Sequence, residues 1–172
     1  MKILHTLLSF VLIMALCGCG EISEPPLTQQ PAQEMQEMKE AEPLEITSFS
    51  FTHTGMSTDK CFCYSAEQTE EGVRLYTEEL FSGGFIVDTI IDEPVLEQLG
   101  EMAGRYRLDR WDGFDKKNRH VMDGSRFSLS VELTDGSTIS ASGSNAFPEG
   151  YSDAEQEIRM LFEDLIDRHG NK

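Results

Sequence analysis

The stretch Arg126-Phe127-Ser128-Leu129-Ser130-Val131-Glu132-Leu133 alternates strictly, with Phe127, Leu129, Val131 and Leu133 on one face. A period of two is that of a β-strand with one buried side. Thr134-Asp135-Gly136-Ser137 follows, and its Asp-Gly pair suits a tight hairpin turn, because glycine enters the left-handed region without a Cβ clash. Thr138 to Ala141 then returns as the second arm. Such a hairpin leaves an apolar face to be covered, and the residues after it supply a cover. Ser152-Asp153-Ala154-Glu155 has the form of a capping box, and Ile158, Leu161, Phe162, Leu165 and Ile166 make a helical stripe that Gly170 ends.

Working upstream, Ile46 to His53 alternates apolar and polar residues with the period of a strand that has one buried face, and Gly55 to Asp59 reads as a turn. Cys61-Phe62-Cys63-Tyr64 opens a second strand, Val73 to Leu80 a third and Phe85 to Ile91 a fourth, separated by Glu70-Glu71-Gly72 and Ser82-Gly83-Gly84. Connections this short favour antiparallel neighbours. Asp92-Glu93-Pro94 has the chemistry of a helix start, with Asp92 as the cap. Val95, Leu96, Leu99, Met102 and Ala103 then share one helical face up to a stop at Gly104. The order of elements predicts an α+β fold, an antiparallel sheet of about six strands with two main helices packed on one face.

The N-terminus reads as an address. Lys2 precedes an apolar run from Ile3 to Leu16, too short to span a bilayer comfortably and typical of an export signal. Leu16-Cys17-Gly18-Cys19 resembles the lipobox of bacterial lipoproteins, with Leu16 three residues and Gly18 one residue before Cys19. Choosing Cys17 instead would put bulky Leu16 where a small residue is wanted, so Cys19 is the predicted lipidation site. Residues 1–18 are then a signal peptide. Residues 19–43, with Pro25, Pro26, Pro31 and Pro43 and an excess of Glu, form an acidic Pro/Gln-rich tether, and residues 44–172 a single α+β domain. The expected location is the extracytoplasmic face of the cell membrane, held by lipid.

The chain has 172 residues, with 14 Lys+Arg against 31 Asp+Glu and a net charge of −17, which repels phosphate backbones and argues against nucleic acid as a partner. Seven of the 14 cations nevertheless crowd into one segment, as Arg105, Arg107, Arg110, Lys116, Lys117, Arg119 and Arg126, around the only tryptophan, Trp111. One reading makes this segment, with Asn145 from the loop Ser142–Tyr151, a site for an anionic cell-envelope ligand or a protein partner. The other makes it a connector whose aromatics plug the core while its cations balance Asp109, Asp112, Asp115 and Asp123. Cys61 and Cys63, two apart on a strand, point the same way. They are either buried small hydrophobes, a strained disulfide, or half of a metal site completed by His53. No catalytic residue is predicted, since no Gly-x-Ser-x-Gly, His-Glu-x-x-His or phosphate-loop motif occurs. No cofactor is expected. The leading expectation is a non-catalytic binding module, with an exported hydrolase or cell-wall enzyme, and a metal-handling lipoprotein, as alternatives.

Trp111-Asp112-Gly113-Phe114, the run Asp123 to Leu129 and the run Ala141 to Tyr151 together resemble the C-terminal half of a family of lipoproteins from clostridia-like Gram-positive bacteria. The resemblance covers Arg105 to the end, with the signal and lipobox; the first four strands match in pattern only. The family has no assigned activity, so the resemblance implies a surface lipoprotein and carries over no catalytic residue. The Cys61 and Cys63 pair is outside its pattern.

Overall fold

A computed structural model describes residues 42–55, 61–80, 86–121 and 124–170. The signal peptide, Cys19 and nearly all of the tether lie outside the described residues, as do most of the Gly55–Asp59 turn, the Ser82–Gly84 turn and Asp123.

Four strands, β1 (Ile46–Thr54), β2 (Phe62–Thr69), β3 (Gly72–Glu79) and β4 (Ile86–Ile91), form an antiparallel meander. Helix α1 (Val95–Arg105) and a 3-10 turn (Leu108–Trp111) lead to β5 (Phe114–Lys117). The hairpin β6 (Arg126–Leu133) and β7 (Thr138–Ser144) precedes α2 (Tyr151–His169). The sheet order is β4-β3-β2-β1-β6-β7-β5, so the hairpin joins the meander through β1 and β6. Among the described residues the fold is α+β with two helices, as expected, but the sheet has seven strands and is mixed, because β5 pairs with β7 in parallel. A four-residue edge strand reading Phe-Asp-Lys-Lys carries almost no alternation to detect, and its charges are those that guard a sheet edge against further pairing.

Alternation decides which face is packed. On β6, Phe127, Leu129 and Val131 are buried while Arg126, Ser128, Ser130 and Glu132 are exposed. The buried sides of β1, β2, β3 and β7 join the same core as Val95, Leu99 and Met102 of α1 and Ile158, Phe162 and Leu165 of α2. In β1 the spacing from Ile46 to Phe49 breaks the two-residue period. A bulge between Ile46 and Ser48 absorbs the extra residue and keeps both side chains inward.

Both helix starts differ from expectation. Pro94, not Asp92, occupies the position before α1. Gly150, at φ 74°, precedes α2, which places Ser152 inside the first turn rather than at its cap. The reason is Tyr151, whose ring is drawn into the core 4.7 Å from Phe127 and 4.5 Å from Phe147. Its hydroxyl lies 2.8 Å from Nδ1 of buried His53. Burial of Tyr151 pulls the helix start one residue ahead of the capping box.

The far end of α2 is tied back by charge. Glu93 accepts hydrogen bonds from Arg168, which also reaches Asp164, and from His169 at 2.5 Å. These bonds, His169 first and Arg168 second, hold the Glu93 carboxyl below the usual carboxylate range. A depressed folded-state pKa contributes stability that is complete above the unfolded value, roughly 4.3, and lost as pH falls through the folded value. The stability difference between wild type and Glu93→Gln is therefore expected to be largest near neutrality and to shrink as urea midpoints are taken below about pH 4. A difference that grew on acidification would contradict the assignment.

Candidate functional site

A half-open cavity of about 170 Å³ lies where β2 and β3 pass under α2. Strand pairing brings Tyr64 opposite Thr77, and Phe62 opposite Glu79. Helix α2 supplies Arg159, Glu163 and Ile166 at spacings of three and four, one helical face. Phe162, from the same face, stacks on Tyr64 with centroids 4.7 Å apart and rings within 2° of parallel, fixing the helix over the strands. Cys61 completes the lining.

Polar groups stand inward here. Thr77 is 1% exposed, and its Oγ1 has no hydrogen-bond partner among the described residues. Arg159 Nε is likewise buried and without a hydrogen bond among the described residues, although its guanidinium forms an ion pair with Glu163, one helical turn on, at 3.9 Å. An unmet buried hydroxyl costs on the order of 1–3 kcal/mol. Glu79 and Glu163 are exposed and form the mouth. Tyr64 is held as the neutral phenol, its pKa pushed up by burial first and by the Glu163 carboxylate second, with Arg159 opposing.

The residues singled out in the sequence lie elsewhere. Trp111 is 2% exposed, donates its indole N–H to the Glu149 carbonyl at 3.1 Å and meets Phe127 edge-on, so it is core and not a binding surface. Arg105 is bound to Glu157, and Arg107, at φ 53°, forms a two-pronged pair with Asp109. Arg110, in the 3-10 turn, and Arg119 are exposed. Lys116 sits 5.1 Å over the Phe114 ring, whereas Lys117, one residue on, belongs with Ser144 and Arg126 on the open face. Asn145, at φ 53°, is used locally, its amide donating to the Val121 carbonyl. The segment is thus mainly the connector of the two expectations, its cations spread over a helix end, a turn and both faces of a strand.

Of the three readings of the cysteines, that of buried or half-buried thiols is the one found. Cys63 is on the open face beside Thr52, whose hydroxyl lies 3.5 Å from its Sγ. Cys61 precedes the strand and is buried, its Sγ 3.3 Å from the Gly55 amide. No disulfide joins the two. His53, paired with Phe62 in register, points to the core, opposite Cys63, so these three do not converge on a metal. Among the described residues no group of three His, Cys, Asp or Glu is placed to hold a metal ion, and no helix is long and apolar enough to cross a membrane.

The cavity was missed in the sequence although a trace of it is there. The inward positions of β3 read Val73, Leu75, Thr77 and Glu79, an apolar alternation that turns polar at one end. Only the placement of α2 shows that this end is roofed. No family model matches the chain, and no curated protein matches it.

Proposed function

We propose that this chain is a lipid-anchored, extracytoplasmic binding module without catalytic chemistry, attached through diacylglycerol on Cys19 and taking its ligand in the cavity beneath α2. The lipobox Leu16-Cys17-Gly18-Cys19 and the acidic tether support the anchor. So does the resemblance of residues from Arg105 onward to lipoproteins of Gram-positive bacteria. The observation that carries the binding reading is Thr77. A hydroxyl left without a hydrogen bond at 1% exposure works against stability, a cost that a strand end shaped for packing alone would not carry. Acyl chains anchor by burying CH2 groups at about 0.8 kcal/mol each, and two on one cysteine suffice for stable attachment.

Cells expressing the full chain and grown with labelled palmitate are expected to place label on the wild type in the membrane fraction. Cys19→Ser should carry no label. Label retained by Cys19→Ser, or an unmodified mature N-terminus by mass spectrometry, would overturn the anchor.

A further inference from the structure

We propose that the corner of the sheet where β5 ends and β6 begins docks on the anionic phospholipid surface of the bilayer. The proposal rests on the lipid-anchored reading, which supplies the bilayer, and does not involve the cavity beneath α2.

Register brings the corner together. Lys117 and Arg126 pair with Ser144 from its two sides, and Arg126 also pairs with Thr54, the last residue of β1. Lys116 takes the other face of β5, but at the last two positions of an edge strand both lysines stand at the same corner. Asn118 donates its amide to the Ser144 carbonyl at 2.9 Å, and the Asn145 side chain donates to the Val121 carbonyl at 3.4 Å. These bonds set Arg119 and Val121 beside the loop that carries Phe147.

Charge sets the first requirement. In a chain of net charge −17 most cations find an acid, and Arg74, Arg105, Arg107, Arg159 and Arg168 all do. Lys116, Lys117, Arg119 and Arg126 are exposed, and none is in an ion pair among the described residues. Of the acids nearby, Asp115 accepts from the Ser142 hydroxyl at 3.0 Å and Asp153 acts on the Tyr106 phenol, which leaves Glu149 against four cations. Apolar exposure sets the second. Val121 and Phe147 are 42% and 40% exposed at this same corner. Cations interspersed with exposed apolar side chains suit an anionic headgroup layer over hydrocarbon, whereas a free phosphate would make no use of the apolar pair.

The net charge does not oppose this contact. Exposed Glu45, Glu67, Glu70, Glu71, Glu132 and Asp135 crowd the opposite end of the sheet, where β1 starts and the β2–β3 and β6–β7 turns lie. The nine residues of β1 separate the two ends by roughly 30 Å, more than three Debye lengths of about 8 Å at physiological salt. The bilayer therefore meets the field of the corner and not that of the acids. The chain enters the domain at the acidic end, but residues 19–43 can extend to about 80–90 Å, enough to let the corner turn to the surface.

The test uses the mature protein purified with its lipid, in nanodiscs of equal parts phosphatidylglycerol and phosphatidylcholine or of phosphatidylcholine alone. A trace of gadolinium-chelating lipid speeds the relaxation of amides near the surface. In the anionic discs the enhancement at Lys117, Arg119 and Phe147 is expected to exceed that at Glu71 and Gly136 several-fold. The contrast should vanish in phosphatidylcholine and at about 1 M salt. Lys117→Gln should lower the docked-to-free ratio about fivefold and Lys117→Glu further, with Tm unchanged because the side chain is exposed at a sheet edge. Val121→Ser should also weaken docking, which a site for a free anion would not show. Equal enhancement at both ends in anionic discs, or a pattern unmoved by Lys117→Glu, would overturn the docking and leave the anchor. Dimers in lipid-free detergent that Lys117→Glu abolishes, with no contrast in the discs, would overturn it in favour of the acidic end of a second copy. A product that carries no lipid and floats with neither disc would overturn the anchor and the docking together.

Discussion

Phe162→Ala is expected to lower the unfolding free energy by about 3–5 kcal/mol, read as a fall in the urea midpoint at unchanged slope. The residue is fully buried, lies flat on Tyr64 at 4.7 Å and faces Phe49 at 6.3 Å. Removing the ring loses its transfer free energy and opens a void that neither partner can fill, because Phe49 and Tyr64 are held by sheet hydrogen bonds on β1 and β2. Against a total stability of roughly 5–15 kcal/mol this is a large fraction. The same ring holds α2 over the strands, so the variant should also deform the cavity beneath that helix. A loss below about 1 kcal/mol would mean that α2 is not anchored through this stack.

Gly100→Ala should be the second most damaging change, although alanine in a helix interior is normally better than glycine by about 1 kcal/mol. The segment before β1 lies directly on α1. Leu44 donates its amide to the Gly100 carbonyl at 3.0 Å, and a Cβ on Gly100 would stand 2.1 Å from the Leu44 carbonyl oxygen. One turn on, a Cβ on Gly104 would stand 2.4 Å from the Glu42 oxygen. The obstacle is backbone, not a flexible side-chain tip, so the strap must lift, losing its hydrogen bond and the half-buried Leu44. The net expectation is a destabilisation of about 1–3 kcal/mol, with the propensity gain outweighed by overpacking. Faster hydrogen exchange at the Leu44 amide would identify the lifted strap. A stabilised Gly100→Ala would show that the strap does not pack as described.

The helical reading of α1 placed Val95, Leu96, Leu99, Met102 and Ala103 correctly on the buried face. It treated Gly104 as a stop, and the use of Gly100 and Gly104 as a bed for residues 42–44 was not legible. A glycine's open face has no pattern of its own; what fills it comes from more than fifty residues away. Trp111 shows the same limit from the other side. Its neighbours Arg107, Arg110 and Lys116 suggest a surface, yet it is buried by Phe127, Tyr151 and the Glu149 carbonyl, all remote in sequence.

What the amino-acid order determined unaided is whatever repeats within a few residues. The alternation of β6 and β7, the Asp135-Gly136 turn, the stripe of α2 and the α+β class all follow from periods of two and 3.6, which belong to the backbone itself. Tertiary structure alone decided that β5 pairs in parallel with β7, that Cys63 and His53 take opposite faces, and that Thr77 is roofed by α2. Each of these is a contact between segments whose separation carries no period. Their pairing is chosen by burial and shape across the whole core, not by any local preference.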